Sequence, residues 1–463
     1  MSKLGLVIVD GVGFRNFILS DFLKEASTSF DEITIYSGLK AEVYDLGSYS
    51  NIKIVELEVY IEIKKAWFWR KLNETAHLYK HRSFFGIKDT LSFTKPKGYT
   101  KRDVLNRFIR IVASCFHSEK NMKTYQKYIY KSFSKSEITQ NFISKLSADK
   151  PSILFFTHQR PPYIAPLVYA ANKTKIKTCS FIFSWDNLSS KGRIPAMFDS
   201  FLVWSNLMKK ELLYFYPLVN KEKVKVVGTP QFEPYVMPEY QSSEDDFYTN
   251  FELDTNKKTI CFSCGDLSTG RNDELAISII AEAIENNKLD LPVNLLVRTS
   301  PADSGSRFKK VKEKYPFISW NYPKWVQTRA DHVESWSQRL PLRKDVKELR
   351  SILEYAAVSV NMCSTMSLDF MLFNKPVINQ VLGNKENGLF NDQRFLNYNH
   401  YKKVVESGSV NITKTKKELL SAINDALKSP LYLEKQRAEI LKLEISKPIK
   451  GTSKRIVRTL KSI

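Results

Sequence analysis

Cysteine is scarce in this chain. Five cysteines in 463 residues are an odd number, thinly spread. That argues against a disulfide framework and for a reducing compartment. Cys261 and Cys264 form a C-x-x-C inside "KKTICFSCG", which reads as a strand. An offset of three on a strand sends the two side chains to opposite faces, and no second Cys/His pair stands nearby, so neither a metal nor a redox role is expected. Long apolar runs are missing too. None approaches the roughly 20 residues that span a bilayer. The N-terminal "LGLVIVD" is cut short by Asp10 and reads as a first buried strand rather than a signal peptide or an anchor. No repeat of solenoid length is present. The remaining composition, 43% hydrophobic and 26% charged, is that of a folded soluble protein.

Acids are outnumbered. Lys and Arg total 71 against 49 Asp and Glu, a formal charge of +22. Such an excess implies an anionic partner: nucleic acid, an anionic membrane surface or a phosphorylated substrate. No nucleic-acid-binding module is recognisable, so nucleic acid is the weakest of the three. The stretch 64–72, "KKAWFWRKL", sets three aromatics among basic residues. That mixture suits peripheral contact with an anionic membrane, single-stranded nucleic acid, or a half-buried helix with Lys and Arg on its wet face.

The length exceeds one ordinary core and predicts two domains. Short apolar runs alternate with helical patterns almost throughout, which predicts an α/β protein of two doubly wound, Rossmann-like parallel sheets. Residues 1–235 form the first domain in this reading, and 64–147 within it is mostly helical. The Pro-rich, acidic segment 236–256 is a linker. Residues 257–445 form the second domain, and the amphipathic tail 446–463 is a helix returning to the first. Ligands of such sheets bind beyond the carboxyl ends of the strands, so two facing sheets would gather their loops around one cleft.

Chemistry is therefore sought at strand ends. "DGVGFRN" (10–16) follows a strand and opens a helix, but Asn16 stands where a dinucleotide fingerprint needs its third glycine. A tight turn at Gly11 and Gly13 that brings backbone, Arg15 and Asn16 to a substrate fits better. "THQRPP" ends the run 151–156 and presents His158, Gln159 and Arg160. A histidine, with its ordinary pKa near neutrality, suits a general base. Asp186 and Asp10 are the alternatives. "SWDNLSSKGR" (184–193) adds Asn187, Lys191 and Arg193 beyond the next strand. In the second domain "VRTSP" offers Arg298 as a planar fork for a diphosphate. "NMCSTMSLDFMLFNKPVI" (361–378) joins a strand end to a helix, with Ser364 and Thr365 at the helix start and Asp369 one turn in. Free N–H groups there face an anion, and an acid there accepts from ribose hydroxyls.

Together with "LVWSNLMKKELLYFYP", "VVGTPQFEPY" and "HYKKVVESGSV", these stretches resemble the GT-B-type glycosyltransferases of bacterial surface-polysaccharide biosynthesis and the related CDP-glycerol glycerophosphotransferases. The resemblance covers roughly the last 300 residues; the first 150 match only in pattern. It implies a nucleotide-sugar donor bound in the second domain by Gly265, Arg298, Ser364, Thr365 and Asp369. The loops at Asp10–Asn16, His158–Arg160 and Asp186–Arg193 would then face a glycan or lipid-linked acceptor. It also implies a cytoplasmic enzyme, peripheral on the inner face of the plasma membrane, with no cofactor. The absence of any D-x-D triplet agrees with transfer that needs no metal. Rival readings are transfer of a polyol phosphate from a CDP-linked donor and, from another class, basic nucleic-acid binding. A sugar-nucleotide 2-epimerase shares the fold but should need more carboxylates.

Overall fold

The computed structural model describes residues 2–463 apart from Ser48 and Val333, and without the side chain of Trp336. The chain divides into two compact units. The first comprises residues 1–233, 327–340 and 444–463, and the second comprises 234–326 and 341–443.

Seven strands build the first sheet: β1 (Lys3–Ile8), β2 (Glu32–Ser37), β3 (Ile52–Glu56), β4 (Ile153–Phe156), β5 (Lys177–Phe181), β6 (Ser200–Val203) and β7 (Val224–Val226). Their order is β3-β2-β1-β4-β5-β6-β7, and every pairing is parallel. The central strands are apolar on both faces because helices cover both; Leu6, Ile8, Ile35, Phe155, Phe156 and Phe181 are fully buried. Alternating strand and crossover helix leaves all carboxyl ends on one edge.

Between β3 and β4 the chain forms five helices, Lys64–Lys80, Phe85–Phe93, Lys101–Cys115, Glu119–Phe133 and Glu137–Asp149. Of the readings of 64–72, the half-buried helix is the one this layer matches. Trp67, Phe68 and Trp69 pack against a small core of Leu72, Ala76, Ile109, Ala113, Met122 and Tyr125. Trp69 stacks on Tyr128 with ring centroids 4.4 Å apart, and the Arg102 guanidinium lies over Trp67 at 5.5 Å. These half-buried aromatics hold helices together.

The second unit contains β8 (Lys258–Ser263), β9 (Val293–Arg298) and β10 (Ser319–Asn321). A short ribbon of β11 (Trp325–Gln327) and β12 (Arg339–Pro341) follows, then β13 (Val358–Asn361), β14 (Val377–Gln380) and β15 (Asn411–Thr413). The parallel sheet runs β10-β9-β8-β13-β14-β15 over a core that includes Ile260, Phe262, Ile280, Val297 and Val360.

Two domain expectations change. Residues 236–256 are not a free linker. They carry the helix Glu244–Asn250, whose buried Phe247 packs on Phe251 and Tyr355, and they belong to the second unit. The chain also leaves the second unit after Val326 and returns at Pro341, so 327–340 belongs to the first. The tail helix Thr452–Ser462 buries Ile456, Val457 and Leu460 in the first unit, and its Ser453 N–H donates to buried Glu233 at 3.0 Å.

Candidate functional site

Parallel pairing sets the geometry of the first unit. Val7 of β1 is in register with Phe156 of β4, so Asp10 and His158 emerge side by side at adjacent carboxyl ends. Asp10 caps the helix Gly11–Ile18: its Oδ1 accepts from the Gly13 N–H at 2.7 Å. Its other oxygen, Oδ2, lies 2.6 Å from His158 Nδ1. Asp10 is buried and His158 retains 14% side-chain exposure. A carboxylate can only accept, so Nδ1 is the donor to Asp10, and Nε2 is the ring nitrogen that Asp10 does not engage. The imidazole also stacks on Phe183, centroids 3.9 Å apart, which fixes its plane.

A second polar ladder joins the next two loops. Gln159 accepts from the Phe183 N–H at 3.0 Å and donates through Nε2 to Asn187 Oδ1 at 3.0 Å. Asn187 donates in turn to Asp186 Oδ1, and Asp186 Oδ2 accepts from Ser190 and has Lys191 Nζ at 3.9 Å. The structure thus brings His158, Asp10, Gln159, Asn187, Asp186 and Lys191 together on one sheet edge. Arg160 is half-buried, close enough for its charge to act on the carboxyls of Glu74 and Glu334. Glu334 was missed from the sequence. It sits in the 327–340 excursion, burial raises its carboxyl pKa, and the charges of His158 and Arg160 oppose that rise.

Several first-unit expectations fail on packing. A Cβ on Gly11 would collide with the Arg339 carbonyl, and one on Gly13 would come within 2.7 Å of Thr157 Oγ1. These glycines are buried and permit close packing of chain on chain. Asn16 is fully buried inside the unit, with neither amide atom hydrogen-bonded, while Arg15 occupies a half-buried position on the same helix. Arg193 is buried, donates to Glu119 at 3.0 Å and lies over the Tyr216 ring, so its charge is already matched.

In the second unit the largest correction is Arg298. It is buried, and its Nη2 donates to both oxygens of Asp345 at 3.0 Å while Nη1 donates to Asn321. Asp345 accepts further from the Lys324 N–H and Trp325 Nε1. This is a closed clamp across β9, β10 and the helix Arg343–Tyr355, and no fork remains for a diphosphate. Asp369 is buried and accepts from the Tyr235 hydroxyl at 2.5 Å, so it is not open to a ribose. Ser364, half-exposed, caps the short helix Met366–Met371 by accepting from the Met366 N–H at 3.2 Å. Thr365 is the residue before that helix and makes no side-chain cap. The preceding Cys363 holds a left-handed φ of 44°, strained backbone at the carboxyl end of β13.

Gly265 lies in a cluster the sequence did not disclose. Its N–H donates to Asp273 Oδ2 at 2.9 Å and its carbonyl accepts from Arg307 at 3.0 Å. Arg307 also pairs with Asp303 at 2.6 Å and Asp273 at 3.3 Å. Loops after β8 and β9 are thereby tied together. Burial outweighs Arg307 and raises the Asp273 carboxyl to about 7; burial likewise raises Asp392 to about 6. "CGDLSTGRND" was the available signal, a glycine turn running into a helix. Cys261 and Cys264, whose thiols burial raises, form no disulfide.

No protein-family model and no curated protein sequence matches the chain. Solved structures do. UDP-GlcNAc 2-epimerase from Neisseria meningitidis, bound to UDP-GlcNAc, superposes with a TM-score of 0.56 at 13% identity, covering 100% of both chains. A glycosyltransferase from Rickettsia africae gives 0.51 at 11% identity, over 100% of this chain and 98% of its own. An Anabaena protein in complex with UDP and glucose gives 0.51 at 10% identity over 100% of both. Identities this low speak for fold alone. On that ground the chain is similar throughout to structures of the GT-B class, and its fold is two Rossmann-like units, each a doubly wound parallel sheet.

Proposed function

We propose that the protein is a glycosyltransferase that moves a sugar from a nucleotide-sugar donor to a hydroxyl of a glycan or lipid-linked acceptor. The observation that carries this reading is the pairing of buried Asp10 with half-buried His158 at the carboxyl ends of β1 and β4. In the proposed step, Nε2 of His158 takes the proton of the acceptor hydroxyl as that oxygen bonds to the anomeric carbon. The bond from that carbon to the donor phosphate breaks, and its electron pair leaves with the nucleoside diphosphate. Asp10 is the positioning residue: it fixes the tautomer and stabilises the imidazolium that forms. Asp186, Asn187, Gln159 and Lys191 offer the acceptor donors and acceptors on the same edge.

The donor is assigned to the second unit, at the loops following β8 and β13, through Gly265 and the Ser364–Thr365 turn rather than Arg298 or Asp369. Neighbours of the same fold crystallised with UDP-GlcNAc and with UDP and glucose support a nucleotide donor. The lack of a D-x-D triplet supports transfer without a metal. No helix among the described residues is long and apolar enough to cross a membrane; we place the enzyme in the cytoplasm, serving bacterial surface-polysaccharide biosynthesis such as capsule or O-antigen assembly. The earlier resemblance keeps a CDP-linked polyol phosphate as an alternative donor.

One observation favours a second reading. Glu334 adds a carboxyl of raised pKa near His158 and Asp10, which is the acid–base equipment a sugar-nucleotide 2-epimerase needs. Calorimetry with UDP, GDP and CDP tests what both readings share. At least one diphosphate should bind, and binding of none would remove both.

A further inference from the structure

The helix Lys101–Cys115 is amphipathic, yet part of its apolar surface faces outward. Ile109 and Ala113 turn into the small helical core. Val104, Phe108 and Ile111, spaced four and three residues apart on one face, are 56%, 53% and 66% exposed. A capping box between Thr100 and Asp103 fixes the start of the helix. The turn before it adds Phe93, 57% exposed, and Tyr99, 89% exposed. Arg107 donates to the Gly98 carbonyl and lies 4.9 Å from the Tyr99 ring, which holds that turn against the helix.

Single exposed apolar residues need no explanation, but a row of five on adjoining elements marks a contact surface. Charge says what it contacts. Residues 84–116 hold seven Lys and Arg against two Asp, and Lys95, Lys97 and Lys101 are all exposed on the same turn and helix start as the apolar row. Basic side chains flanking an apolar helical face match an anionic bilayer, whose headgroups meet the lysines while the apolar row enters the acyl boundary. Single-stranded nucleic acid fits less well, because aliphatic Val104 and Ile111 offer no ring for a base to stack on. The geometry points to this face, residues 93–111, as a reversible docking surface for an anionic lipid membrane. It is distinct from 64–72, whose aromatics pack half-buried against the helical core, and it does not depend on the proposed activity.

Flotation of the full chain with vesicles tests it. With equimolar phosphatidylglycerol and phosphatidylcholine at low salt the protein should float. With phosphatidylcholine alone it should stay behind, and about 1 M salt, where the Debye length is about 3 Å, should release it. The variant Val104→Ser, Phe108→Ser, Ile111→Ser should lower the bound fraction about tenfold without changing thermal unfolding, because these side chains are already in water. A second variant, Lys95→Glu, Lys97→Glu, Lys101→Glu, should lose binding without touching the apolar row. Failure of the wild type to float with the anionic vesicles overturns the inference, and so do variants that float like wild type. A dimer in sedimentation that the serine variant converts to monomer would assign the face to a second copy instead. Binding of a single-stranded RNA oligomer that the same variant abolishes would assign it to nucleic acid.

Discussion

In the proposed step His158 depends on Asp10, whose carboxylate accepts from Nδ1 and leaves Nε2 as the nitrogen that would take the acceptor proton. His158→Ala should cut turnover by roughly 10²–10⁴ while the affinity for nucleoside diphosphate, measured by calorimetry, stays unchanged. Asp10→Asn keeps an oxygen for the Gly13 N–H but loses the carboxylate; turnover should again fall, with the pH profile of kcat displaced. Normal turnover in both would move the proton acceptor to Asp186. Arg298 makes the opposite prediction. Removing one partner of a buried pair costs about 3–5 kcal/mol, so Arg298→Ala should destabilise the second unit in urea unfolding. Weaker diphosphate binding at unchanged stability would restore its place in a donor site. Strand-end positions such as Asp10 and His158 were legible in the sequence because β1 and β4 announce themselves as apolar runs. What was illegible is whether a polar side chain at a strand end is already taken. Asp345 lies 47 residues from Arg298 and Tyr235 lies 134 residues from Asp369, and no local pattern discloses such pairings.

The helical layer between β3 and β4 has its own sensitivity. His77 and His81, one turn apart on the helix Lys64–Lys80 and at its end, sit among Phe84, Tyr214, Phe215 and Tyr216. Burial lowers both, His81 from 6.5 to about 4, with Lys80 and Arg193 adding to it and Glu119 opposing. The sign follows from linkage. The unfolded chain binds protons at 6.5 that the folded chain refuses until about 4, so this stability is full above 6.5 and is lost as pH falls toward 4. His81 alone should remove about 2 kcal/mol between pH 7 and pH 5. Urea unfolding at the two pH values should show that loss in the wild type and a smaller one in His81→Phe; an equal loss would mean His81 stays protonated when folded. Trp69→Ala should loosen the same layer by about 2–4 kcal/mol. Most elements were readable from alternation of apolar runs and helical periods. The ribbon β11–β12 was not, because each strand has only three residues and neither an apolar run nor a period marks it. Missing it also hid Glu334.

At the scale of the chain, alternation of strand and helix predicted two doubly wound sheets, and the structure has two. The excursion 327–340 escaped because unit membership is decided by packing at distant positions, and sequence order does not record it. The positive charge of +22 suits both an anionic donor and an anionic surface, and composition alone cannot divide it between them. The central claim is chemical. It is tested most directly by incubating the whole protein with a panel of nucleotide sugars and CDP-linked polyols, and following the nucleotide by mass spectrometry. The account predicts that at least one nucleotide sugar releases its nucleoside diphosphate, and that His158→Ala slows the release at least about 10²-fold. A sugar that is isomerised while still attached to its nucleotide would contradict transfer and establish epimerisation, and release unaffected by His158→Ala would contradict the proposed base.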